Sequence, residues 1–142
     1  MIRLTFATFL SAFAFCSSAA TSENIAQSLY SWNGTKLPSI SLEDPKVTIK
    51  KIIIDPGERL PIHLHPVINA GVLLSGKLTV YTEDQSQVLH LDADSDNKTI
   101  VEMVDKFHYG INEGTKPAEI IVFYISDKDQ ILTKLKPNTE GK

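Results

Sequence analysis

Short β-branched runs, each closed by a turn signal, are the feature that most limits what this chain can become. Residues 47–55 read VTIKKIIID and end at Pro56-Gly57; the apolar run 70–74 ends at Ser75-Gly76. Further runs at 62–65, 78–82, 88–91, 100–104 and 118–125 are each too short for a helix of ordinary length. Two-residue alternation and frequent Gly, Pro, Asn and Asp between the runs predict strands joined by turns. The fold class expected is therefore all-β, a single antiparallel sandwich or barrel. Residues 78–82 are expected to return as the hairpin partner of 70–74. The run AEIIVFYI, 118–125, is the strongest candidate for a buried strand. Trp32, in the turn-like Trp32-Asn33-Gly34, is a candidate core plug.

The ends of the chain read differently. Met1-Ile2-Arg3 is positively charged, residues 4–15 are apolar, and Ser18-Ala19-Ala20 offers small residues for a peptidase. That is the pattern of a cleaved export signal, too short to span a bilayer. The expected organisation is a signal peptide at 1–20, an N-terminal segment at 21–44, a barrel domain at 45–126 and a polar C-terminal tail at 127–142. Residues 21–29 are expected to be a short helix or a loose start, and the tail a surface strand that frays. Export implies a periplasmic or secreted protein with no membrane attachment after cleavage. The single cysteine, Cys16, leaves with the signal, so no disulfide stabilises the domain. The chain carries a net charge of -3, which removal of Arg3 makes more acidic, so no basic field invites nucleic acid.

His63 and His65 lie one residue apart on a predicted strand, where positions i and i+2 share a face. With His108 far downstream and Asn69 nearby, they form a candidate cage for a divalent transition metal. Zinc, iron, copper, nickel and manganese all remain open as the metal. Each imidazole must be neutral to ligate, so affinity is expected to fall below about pH 6.5.

These residues carry a family resemblance. Gly57, His63, His65, Asn69 and Gly76, at their fixed spacings, resemble the first motif of the cupins. His108 and Asn112 are similar to the end of the second motif, whose usual proline and glycine are here Met103 and Asp105. The resemblance covers about residues 45–126. It implies a small jelly-roll (cupin) barrel of six to eight antiparallel strands, with a metal held inside by His63, His65 and His108. The usual fourth ligand, a glutamate, is here Asn69, a weaker neutral oxygen donor. Glu102, six residues before His108, is a candidate replacement carboxylate, but an exposed strand residue is the preferred reading.

Other features weigh less. Asp92, Asp94 and Asp96 alternate like the start of a calcium loop, but Met103 stands where a closing glutamate is needed, so a solvated turn is expected. Arg59 is a candidate to meet an anionic substrate at the barrel mouth, with a plain surface arginine equally in view. His90 is read as exposed, and Tyr109 and Tyr124 as core residues before phenols near a site. The resemblance implies either a metal-dependent enzyme of dioxygenase, isomerase or lyase type on a small molecule, or a non-catalytic binding module for a small ligand or metal. It also implies a homodimer, since apolar strands such as 118–125 need cover on more than one side.

Overall fold

The strand β8, Ala118–Asp127, shows how this chain divides inside from outside. Ala118, Ile120, Val122, Tyr124 and Ser126 are buried, while the residues between them are half-buried or exposed. Period-two alternation turns one edge of the run into core and leaves the other outside. The computed structural model describes residues 20–137. The signal peptide expected at 1–20 lies, apart from Ala20, outside the described residues.

Among the described residues nine strands form two antiparallel sheets. One sheet has the order β1 (Pro45–Ile54), β8, β3 (Ile68–Ser75), β6 (Thr99–Val101). The other has the order β5 (Val88–Asp92), β4 (Lys77–Thr82), β7 (His108–Ile111), β2 (His63–Leu64), β9 (Lys134–Leu135). The inner faces enclose a core of Ile54, Leu73, Leu78, Val80, Leu91, Ile100, Ile120 and Val122, with Trp32 packed against it. Burying each such aliphatic side chain contributes about 1.5–3 kcal/mol. The all-β antiparallel barrel expected from the sequence is the fold observed.

One local expectation changes, the hairpin. Residues 21–29 take the loose one of their two expected forms, with no helix. β3 and β4 do not pair as a hairpin: β3 lies between β8 and β6, and β4 between β5 and β7. The turn at Gly76 instead carries the chain from one sheet to the other. The surface strand expected in the C-terminal segment is β9, which pairs with the histidine strand β2.

Gly76 is required at that crossing. Its φ is +73°, and an added Cβ would stand 2.6 Å from the Pro117 carbonyl oxygen. Gly57 has φ +79° but open space around it. Gly76→Ala should therefore lower unfolding free energy by more than Gly57→Ala, which carries only a backbone cost of about 1–2 kcal/mol. Urea denaturation of the two variants side by side measures the difference.

Candidate metal centre

His63 opens β2 and pairs directly with His108, which opens β7. His65 follows two residues after His63 and bridges to Val104. Short strand segments thus bring three imidazoles to one point, with ring centroids 4.6 Å apart for His63 and His108, 5.0 Å for His63 and His65, and 5.3 Å for His65 and His108. One nitrogen from each lies within 4.8 Å of the others.

The outward nitrogens decide which atoms face the centre. His63 Nδ1 lies 2.7 Å from the Pro61 carbonyl, His108 Nδ1 2.9 Å from that of Lys106, and His65 Nδ1 2.9 Å from that of Leu132. A carbonyl can only accept, so each Nδ1 carries the proton and donates it. Each Nε2 then keeps a free lone pair. The backbone has set all three rings as acceptors toward the same space.

That space is a cavity of about 290 Å³ with walls such as Ile52, Leu60, Val80 and Val122. Glu102 enters it as well, against the preferred sequence reading. It is buried, and its Oε2 lies 3.3 Å from His108 Nε2. Neither of these two buried atoms makes a hydrogen bond. Two facing electron pairs at this distance need a proton or a cation between them. The three neutral nitrogens fit a divalent transition metal; the Glu102 oxygen stands beside one of them, His108 Nε2, and is not within the group of mutually close ligand atoms.

Asn69 lies next to the histidine cavity and does not line it. It is buried on β3 opposite Tyr124, and its backbone carbonyl accepts from the Glu102 N–H at 3.1 Å. Its Nδ2 lies 3.4 Å from the Val67 carbonyl, and its Oδ1 has no partner. Tyr124 lines the cavity, its ring 5.6 Å from that of His65. Tyr109 faces away and stacks on Tyr81. Arg59 lies over the Tyr109 ring at 3.9 Å, away from the cavity. The cation in the cavity wall is instead Lys50. Asn112 is structural: it donates to the Ile54 and Lys116 carbonyls and accepts from the Gly114 N–H. Asp105, at the degenerate glycine position, adopts φ +54°. His90 is exposed, as expected.

Sequence reasoning named Glu102 but preferred it as an exposed residue, and it missed Lys50 and the Leu132 carbonyl. For two of these three a signal existed. Lys50 shares the parity of Ile52 and Ile54, and Glu102 that of Ile100. The Leu132 contact joins residues 67 positions apart and has no local signal.

The fold is the double-stranded β-helix barrel of the cupin type, here with a histidine-lined cavity. Among solved structures the chain is similar to an oxalate oxidase in complex with the substrate analogue glycolate, with 22% identity, a TM-score of 0.54, and 66% of this chain and 47% of that one covered. It is also similar to an uncharacterized conserved protein with a double-stranded β-helix domain from Klebsiella pneumoniae, at 19% identity and TM-score 0.51, covering 72% of this chain and 90% of that one. DMSP lyase DddQ from Ruegeria pomeroyi follows at 16% identity and TM-score 0.52, covering 68% and 45%. The chain spans about half the length of the oxalate oxidase. At these identities the likeness carries the fold alone. No family model and no curated protein matches the sequence.

Burial sets the titration of the site. It lowers His63 and His108 below the usual 6.5 and, helped by the neighbouring histidines and Lys50, holds His65 down to about 4. It pushes Glu102 up to about 7. The onset of acid loss of metal expected at about pH 6.5 therefore moves lower. For the metal-free protein, the unfolded histidines bind protons that the folded ones refuse. Stability should thus fall on acidification from pH 6.5 toward 4, since three histidines outweigh one carboxylate. Glu102 has the opposite sign: its contribution is present below its unfolded value of 4.5 and lost as pH rises through about 7. Glu102→Gln should therefore raise the metal-free melting temperature at about pH 8, with the gain fading toward 4.5. Thermal melts across that range with chelator present measure both trends.

Proposed function

We propose that this chain is an exported metal-binding cupin that holds a divalent transition metal on His63, His65 and His108 and brings a small anionic molecule to it. One observation carries the reading: three imidazoles have their Nδ1 protons tied to backbone carbonyls and their Nε2 lone pairs converging in one cavity. A metal bound there supplies Lewis-acid polarisation or a nucleophilic water. The chain's own residues do the rest. The apolar walls lower the polarity around the imidazoles, and Lys50, the one lysine or arginine among the described residues that line the cavity, offers a cation to an incoming carboxylate. Enzymatic turnover of that molecule is the reading favoured here. Its support is the space left beside the three histidines, a cavity of about 290 Å³ in which Lys50 and Tyr124 stand with the imidazoles. Export rests on the charged start, apolar run and small residues of 1–20.

Protein purified without a histidine tag or chelator should contain close to one metal per chain by elemental analysis. His63→Ala and His108→Ala should lose that metal while the far-ultraviolet circular dichroism stays that of a β-barrel. Metal retained by both variants would overturn the reading.

We propose further that a second copy covers the outer face of the sheet β1-β8-β3-β6. Ile49, Phe123 and Ala70 form one apolar rung of that face, and Val47, Ile125 and Ile68 the next. Val47 is 67% exposed and Ile49 60%. Beside the rungs Lys51 pairs with Glu119 at 2.6 Å, so the face carries matched charge and does not repel its own copy. Sedimentation at tens of micromolar, a concentration about right for a stable pair, should give a dimer, and Phe123→Glu a monomer. A monomeric wild type excludes the pairing.

A further inference from the structure

We propose that Glu102 supplies the carboxylate of the metal site, from the end of the strand next to the one that carries position 69. The proposal rests on the reading of the three histidines as metal ligands and adds the source of the charged oxygen.

The backbone explains how the exchange is possible. The Glu102 N–H donates to the Asn69 carbonyl at 3.1 Å, so the two residues are neighbours across the β3–β6 ladder. Both are buried. Two carboxylates side by side in this apolar setting would repel, and one would have to stay neutral. A neutral amide at Asn69 lets the charge sit at Glu102 instead. From there the carboxylate reaches the cavity, where its Oε2 lies 3.3 Å from His108 Nε2. Among the described residues that line the cavity, Glu102 is the only acid.

The chemistry of the pair points the same way. His108 Nδ1 gives its proton to the Lys106 carbonyl, so Nε2 has none to give to Glu102. Neither Glu102 Oε2 nor His108 Nε2 has a hydrogen-bond partner. A buried carboxylate is strongly disfavoured unless a proton, a cation or a set of donors meets it. A divalent metal on the three imidazoles is such a cation, and the carboxylate lowers the net charge of the site by one. Oxygen-preferring ions gain most from this, because imidazoles alone hold them weakly. Asn69 then serves as a spacer whose amide fills the position without competing for the metal.

Isothermal titration of zinc and manganese(II) into the metal-free wild type, Glu102→Gln, Asn69→Ala and His108→Ala separates the possibilities. Glu102→Gln should bind manganese at least about tenfold more weakly, and zinc less affected. Asn69→Ala should lose less than Glu102→Gln, and His108→Ala should lose both metals. Wild type and Glu102→Gln binding equally, with His108→Ala impaired, would overturn the role of Glu102 and leave the histidine site standing. Equal binding by all four proteins would overturn both. Infrared difference spectra of the wild type alone give a check that needs no variant: zinc should shift a carboxylate stretch, and its absence counts against the proposal.

Discussion

Three hydrogen bonds from imidazole Nδ1 to backbone carbonyl oxygens hold the site together. Without them each ring could present either nitrogen, and the three lone pairs would not share a target. Two of the bonds are local: His63 reaches Pro61 and His108 reaches Lys106, each two residues back. Backbone that enters a strand sets the ring of the residue that begins it. The third bond is remote, from His65 to the Leu132 carbonyl. It makes the C-terminal segment part of the site. Pairing of β9 with β2 holds that segment in place, with His63 opposite Leu135 on one side and opposite His108 on the other.

Orientation alone would not prepare the site for a metal; its walls matter as much. Ile52, Leu60, Val80, Ile120 and Val122 line the space in front of the imidazoles with apolar surface. Desolvation then disfavours every charged form, lowering the histidines and raising Glu102. Neutral histidines are what a metal needs, so the walls favour binding. A buried carboxylate beside them costs stability in the metal-free protein. Site and fold therefore pull in opposite directions at Glu102, as polar groups at functional sites commonly do.

The same alternation gives the four-stranded sheet two unlike faces. Inward from β1 and β8 point Lys50, Ile52, Ile54, Val122 and Tyr124, all lining the cavity. Outward point Val47, Ile49, Phe123 and Ile125, all substantially exposed. One pair of strands thus carries both the cavity wall and the apolar surface available to a partner. A one-residue slip of register would exchange the two.

Much of this was legible in the chain itself. Alternating β-branched runs and closely spaced turn residues determine an antiparallel all-β domain, because each run can bury only one face. The spacing of His63 and His65 determines that the two rings share a side. The first motif, Gly57 to Gly76, and His108 sufficed to name the three convergent histidines. Tertiary structure decided the rest, because the deciding contacts join residues far apart in sequence. Sheet closure set which strands cross at Gly76 instead of pairing there. It brought Leu132 to His65, and it lowered Glu102 into a cavity whose walls come from both sheets. Local pattern shows which way a side chain points; only the closed barrel shows what it meets there. That is why Glu102 read as a surface residue, though its parity with Ile100 already pointed it inward.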